Sequence, residues 1–160
     1  MDCTSLQTIG DTSSVVTLGG YSIFGNCTSL TIDLNLPSLV TGNGTGFDGS
    51  GIKSILSLGA ITVLDLSFHS CTRLRSAILP VTLTDITHST FYNCYNLLWV
   101  KLLPTSLCKL TKTDAFDGTN NCKIYVPDDL VDTYKITSGW YNIANRIFPL
   151  SQFATDFPNG

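Results

Sequence analysis

Apolar residues fall in a frame that repeats along this chain. In the clearest copy the apolar positions are Phe68, Cys71, Leu74, Ala77, Leu79, Leu83 and Ile86, with mostly Ser, Thr, Arg, His and Asp between them. Phe91 and Cys94 open the next copy. Phe24, Phe47, Phe68, Phe91 and Phe116 stand 23, 21, 23 and 25 residues apart, and a Cys follows three places later at Cys27, Cys71 and Cys94. A fixed period in this range is the signature of stacked-repeat proteins. A unit this small cannot bury its own apolar face, so its neighbours must complete its core. The frame predicts a β-rich solenoid of repeats of about 23 residues with short strands.

The segments follow from the same frame. Leu6 and Ile9 follow Cys3 in a partial first repeat, and Val15, Val16 and Leu18 predict an extended segment turned by Gly19 and Gly20. Leu30, Ile32, Leu34 and Leu36 alternate at period two up to Pro37, the pattern of a half-buried strand stopped by proline. Residues 41–46 are rich in glycine and predict a loose turn. The Phe47 unit lacks both the Cys and the Pro, yet Ile52, Ile55, Leu58, Ile61 and Leu64 keep the apolar beat. The Phe91 unit runs through Leu97, Val100, Leu102, Pro104, Leu107 and Leu110 with small insertions.

After Phe116 the pattern changes. Cys122 takes the slot held elsewhere by Leu30, Leu74 and Leu97, and residues 123–126 predict a last strand before Pro127. Residues 128–135 predict a helix N-capped by Asp128, with Leu130, Val131 and Tyr134 on one face and Gly139 beyond its end. Trp140, Tyr141, Ile143, Ile147 and Phe148 form a compact apolar block. The expected organisation is therefore a repeat solenoid over 1–126, a small C-terminal helical cap over 127–150, and a flexible tail or linker over 151–160.

Composition narrows the function. The 160 residues are 43% hydrophobic, enough for one domain with a sizeable core. Only 13% are charged, the net charge is −3, and all 12 acidic residues are Asp. Such a chain has no basic footprint for nucleic acid and no polybasic patch for anionic lipid. No run approaches the roughly 18 apolar residues of a membrane span, and the first residues do not form a signal peptide. Cys3-Thr4-Ser5-Leu6 matches Cys27-Thr28-Ser29-Leu30. The chain thus opens part-way through a repeat, as expected of a domain from a longer protein or of a first repeat covered by a partner.

Candidate chemistry is sparse. Cys3, Cys27, Cys71 and Cys94 share one slot and predict an inward column of free thiols, although bridges between adjacent slots are geometrically conceivable. The cysteine spacing and only two His disfavour a zinc site, and no metal or cofactor is expected. His69 with Cys71 and the group Asp85, His88 and Ser89 contain nucleophile and triad residue types, but one short segment cannot supply separate orienting groups and oxyanion donors. Asp114 and Asp117 flank Phe116 as solvated loop acids, and Gly42, Gly44 and Gly46 lack the Lys of a phosphate loop. No catalytic residue is expected.

The run Phe-x-x-Cys-x-x-Leu-x-x-Ala-x-Leu-Pro from Phe68 to Pro80, followed by Leu83, Ile86 and Phe91, resembles the BspA-like leucine-rich repeats of bacterial surface proteins. The ending, from Ile124-Tyr125-Val126-Pro127 through Asp128-Asp129-Leu130-Val131-Asp132-Thr133-Tyr134-Lys135 to Trp140, resembles the cap such proteins carry in Bacteroides-type sequences. The resemblance implies a right-handed solenoid used at cell surfaces for adhesion to host matrix proteins or other cells, and it implies no catalysis. Similar repeats occur in tail or fibre proteins of gut phages and in surface proteins of parasitic protists. The expected location is accordingly the cell surface or extracellular space, within a longer protein, or a virion. The expected partner is a host or bacterial surface protein or glycan, with no nucleic acid and no membrane insertion. A stalk without its own ligand is the remaining alternative.

Residues alternating with the core positions point outward. Arg75, Ser76 and Ile78 in one repeat lie beside Leu98, Trp99 and Lys101 in the next. Trp and Arg are over-represented at interface hot spots. Trp99, Lys101, Arg75 and Ile78 are therefore the candidate ligand-binding residues, the alternative being that Trp99 fills an irregular core made by the insertion before Pro104.

Overall fold

The structure is a computed structural model and describes residues 3–44, 46–66, 68–119 and 121–159. The strands are short: β1 Thr17–Leu18, β2 Asp33–Asn35, β3 Thr41–Gly44, β4 Ser54–Ser57, β5 Val63–Leu66 and β6 Ser76–Leu79. They continue with β7 Asp85–Ile86, β8 Trp99–Leu102, β9 Lys109–Leu110, β10 Lys123–Val126 and β11 Ile147–Pro149. The helices α1 Val131–Ile136 and α2 Phe153–Asp156 lie at the C-terminal end.

From β1 to β10, successive strands go to opposite sheets. β1, β3, β5, β7 and β9 make a five-stranded sheet, and β2, β4, β6, β8, β10 and β11 a six-stranded one. All the pairings are parallel. Each of β1 to β8 therefore hydrogen-bonds to the strand one repeat further on. In the six-stranded sheet Leu34, Ile55, Ala77, Val100, Ile124 and Ile147 fall in one row. Every residue of that row is 1% exposed or less. Alternation along each strand sends the flanking residues to the outer face. Thr41–Gly44, expected as a loose turn, is strand β3 between β1 and β5. Its glycines form the strand because the ladder uses backbone groups and asks nothing of the side chains.

A third ladder runs along the Phe turns. The N–H groups of Phe68 and Ser70 donate to the carbonyls of Thr90 and Tyr92, both at 2.8 Å, and Phe91 and Asn93 donate to Ala115 and Asp117, also at 2.8 Å. Two places after each Phe the backbone is left-handed, at Asn26, Gly49, Ser70, Asn93 and Gly118. At Gly118 (φ +76°) an added Cβ would come within 2.6 Å of Asn93 Oδ1, so space as well as φ calls for glycine there. Behind these turns the rings stack. Phe24, Phe47, Phe68, Phe91 and Phe116 have successive centroid separations of 5.2, 5.4, 5.8 and 5.5 Å.

The C-terminal end closes this stack. Trp140, fully buried, lies 5.9 Å from Phe116, and its indole Nε1–H donates to the Cys108 carbonyl at 2.8 Å. Tyr134, also fully buried, accepts the Cys108 N–H at 2.9 Å and meets Trp140 edge-on at 5.1 Å. Arg146 donates to the Cys122 carbonyl at 3.0 Å and to Thr119 Oγ1 at 2.8 Å. Two aromatics and one guanidinium thus satisfy backbone groups that the last repeat leaves without a neighbour.

The helix expected over residues 128–135 is a 3-10 turn over Asp128–Leu130 followed by α1, and Asp128 does not cap it. Its carboxylate instead accepts the Ser151 N–H at 3.0 Å, because Pro127 occupies the N-cap position. The insertion in the Phe91 unit makes Cys108, rather than Leu107, the fully buried residue. Tyr141 leaves the apolar block and is 59% exposed. Cys3 is exposed and outside the thiol column, because residues 3–16 contribute no strand beside β2 to cover it. Residues 151–160 are not a free tail over their described part: α2 docks on the outer face of the six-stranded sheet with Phe153 only 6% exposed. The aromatic side chains of that segment find an apolar surface to leave water for.

Candidate binding site

The thiols serve packing. Cys71 Sγ donates to the Phe47 carbonyl and Cys94 Sγ to that of Phe68, each at 3.0 Å. Ser50, 2% exposed, sits in the same slot of its repeat and approaches Cys71 Sγ at 3.5 Å. Burial pushes the Cys71, Cys108 and Cys122 thiols up to about 12 and raises that of Cys94 as well. Thiols so held are poor nucleophiles at neutral pH. A thiol-reactive dye should therefore label Cys3 at once in the native protein and the five buried cysteines only after denaturant is added. Native labelling of more than one thiol would contradict this packing.

The residues of the nominal triad are engaged elsewhere. Ser89 Oγ donates to Asp114 Oδ2 at 2.8 Å, Asp85 accepts from Thr111 Oγ1, and His88 is exposed. His69 stacks on Tyr92 at 5.3 Å. Among the described residues no group of three or more His, Cys, Asp or Glu side chains is placed to hold a metal ion.

The outer face of the six-stranded sheet carries the remaining candidates. Register aligns Ser76, Trp99 and Lys123 in one row and Ile78, Lys101, Tyr125 and Phe148 in the next. Arg75 is exposed at the edge of this face, its carbonyl accepting the Leu98 N–H at 2.8 Å. Ile78 is half-buried and lines an open apolar groove of about 270 Å³ with Leu56, Pro80, Val81 and Leu103.

Trp99 and Lys101 are partly covered by the chain's own C-terminal segment. The Trp99 ring meets Phe153 edge-on at 4.8 Å and lies 6.2 Å from Phe157. Lys101 Nζ sits 3.4 Å from the centre of the Phe153 ring and 5.2 Å from that of Trp99. Tyr125, fully buried here, meets Phe153 at 5.1 Å and Phe148 at 6.0 Å. Asp156 collects the polar ends, accepting from Lys123 Nζ at 2.8 Å, from Tyr125 Oη and from Gln152 Nε2. The structure thus brings Trp99, Lys101 and Ile78 to adjoining positions and leaves Arg75 on the rim.

The family model for the BspA type leucine rich repeat region matches residues 1–123 and 61–149, with six copies. The chain belongs to the BspA-type leucine-rich-repeat family. No curated protein sequence matches it. The second BspA-type match reaches past β10 through α1 and Trp140 to Pro149, so the cap and β11 fall within the repeat region.

The sequence reading of this BspA-type face missed Lys123, Tyr125, Phe148, Phe153, Asp156 and Phe157. Lys123 and Tyr125 had a legible signal, since in a strand over 123–126 they alternate with the apolar, inward Ile124 and Val126. The others had none. Residues 151–159 lie outside the repeat frame, and their place on the sheet is a tertiary contact.

The pH dependence of this contact has a definite sign. The bonds from Lys123 and Tyr125 hold the Asp156 carboxyl below its ordinary value of 3.8. A lowered carboxyl contributes stability that is complete above the unfolded value and is lost as pH falls through the folded one. Trp99 fluorescence should stay constant from neutral pH down to about 4.5 and change only at pH values below the ordinary carboxylate range. Asp156→Asn should remove that acid transition.

Proposed function

We propose that the chain is a non-enzymatic recognition domain, a right-handed leucine-rich-repeat solenoid that binds a protein or glycan of a host or bacterial surface through the outer face of its six-stranded sheet. Displayed on a cell surface or in the extracellular space, it acts as an adhesion module within a larger protein. One observation carries this reading: the outer face presents half-buried Ile78 and 49%-exposed Leu56 beside an open apolar groove, next to Trp99 and Lys101. Exposed apolar groups gathered with aromatic and cationic ones mark interaction surfaces. The test is binding of the fluorescently labelled domain to intact gut bacteria and to host epithelial cells, with protease-treated and periodate-treated surfaces. Binding lost on Ile78→Asp but retained by Thr17→Asp on the other sheet supports the reading. Binding to neither surface, or equal loss in both variants, rejects it.

A further inference from the structure

The outer face next to β8 and β10 has a feature that the adhesion reading leaves unused, namely its occupancy by residues 150–159. The sheet beneath is complete without that segment. β10 pairs with β8 on one side and β11 on the other, and the inward residues Val100, Leu102, Ile124 and Val126 are buried on the opposite face. Tyr125 and Phe153 stand outside the main core cluster although both are buried, so the segment closes a second, separate apolar cluster. A four-residue helix has no stability of its own. The segment is held by ring contacts, by Asp156, and by the Ser151 N–H on Asp128.

We propose that residues 150–159 are a displaceable strap over a peptide-docking surface made by Trp99, Lys101, Lys123 and Tyr125. The ligand of that surface is a peptide presenting two aromatic rings one helical turn apart with a carboxylate between them. The chemistry is that of the strap itself. Phe153 and Phe157 stack on each other at 5.4 Å and fill the space against Trp99 and Tyr125, while Asp156 reaches Lys123 and Tyr125. Lys101 over the Phe153 ring adds a cation–π contact that a neutral aliphatic ligand would not make. The surface also extends past the strap, since the register row runs from Tyr125 and Lys101 to Ile78 and its groove. A competing peptide can gain contacts there that the strap does not make.

This inference rests on the outer face being the binding surface, and its test uses no cell. The 160-residue chain is prepared as wild type and as the strap-released double variant Phe153→Ser/Asp156→Asn. The probe is a labelled synthetic peptide with the sequence of residues 150–159, followed by fluorescence anisotropy. If the strap covers the site nine-tenths of the time or more, the released chain binds the peptide at least ~10-fold more tightly than wild type does. A probe carrying Asn for Asp156, or a released chain also carrying Trp99→Ala, should lose ~10-fold or more.

Equal binding by wild type and released chains overturns the proposal, as does no binding by a released chain whose buried thiols remain protected. Exposure of those thiols in the released chain also overturns it, because the strap would then be part of the fold. Retention of neutral oligosaccharides without the peptide would assign the face to glycans instead and reject the peptide. In unmodified protein, hydrogen exchange should be faster at residues 153–157 than at Val100 and Tyr125, and equal rates would reject displacement. Failure here with cell binding intact rejects the strap alone, whereas peptide binding without cell binding rejects the adhesion reading alone.

Discussion

Trp140→Ala is expected to lower unfolding stability by about 3–5 kcal/mol. Three effects converge at this site. The indole is fully buried and extends the Phe24 to Phe116 stack by one ring, so its removal leaves a cavity against Phe116 and Tyr134. Its Nε1–H satisfies the Cys108 carbonyl, which would be left buried without that donor. The residue also follows Gly139, whose φ of +86° and close approach to the Leu110 carbonyl fix the entry of the chain over the end of the stack. Repeats depend on their neighbours, so the loss should spread from the C-terminal end. Urea titration measures the loss, and hydrogen exchange should show β9 and β10 opening before β4 and β6. A loss below about 1 kcal/mol would mean that Trp140 does not close the stack.

Leu74→Ala is expected to cost about 2–5 kcal/mol. Leu74 is fully buried in a central repeat, in the slot that Leu30 and Leu97 hold in theirs, all three 1% exposed or less. Repeats on both sides fix the backbone there, Arg75 N–H donating to the Lys53 carbonyl and Leu98 N–H to that of Arg75, both at 2.8 Å. The walls are therefore held back from filling the cavity, which sets the cost toward the upper part of the range. Thr82→Ala is the contrasting case. Thr82 is exposed and its hydroxyl donates to the Ile61 carbonyl at 2.8 Å, so about 0.5–1.5 kcal/mol is expected from the lost bond. Equal losses for the two variants in urea would show that the register assigned to this repeat is wrong.

The repeat frame was legible because each inward slot is filled by a residue whose type burial dictates. Phe47, Phe68, Phe91 and Phe116, Cys27, Cys71 and Cys94, and Leu30, Leu74 and Leu97 all come out 1% exposed or less. The frame failed where backbone geometry or distant partners govern. Thr41–Gly44 carries no apolar signal yet is a strand, because its neighbours in the sheet supply the hydrogen bonds. Ile147–Pro149 reads as part of an apolar block, yet it extends the six-stranded sheet beside β10. Asp128 has the chemistry of an N-cap, but Ser151, 23 residues on, takes its carboxylate.

The candidate site divides in the same way. Trp99, Lys101 and Ile78 could be placed on one face by counting alternate positions in aligned repeats, because a strand has period two. That Trp99 and Lys101 lie beneath Phe153, and that Asp156 joins Lys123 to Tyr125, could not be read. By itself the sequence determined the repeat and most of its buried slots, since each is set by local period and by the transfer of apolar side chains out of water. Only the tertiary structure decided what covers the outer face. Residues 151–159 carry no period that ties them to any repeat, and their position follows from contacts with side chains that the fold brings together across more than one repeat.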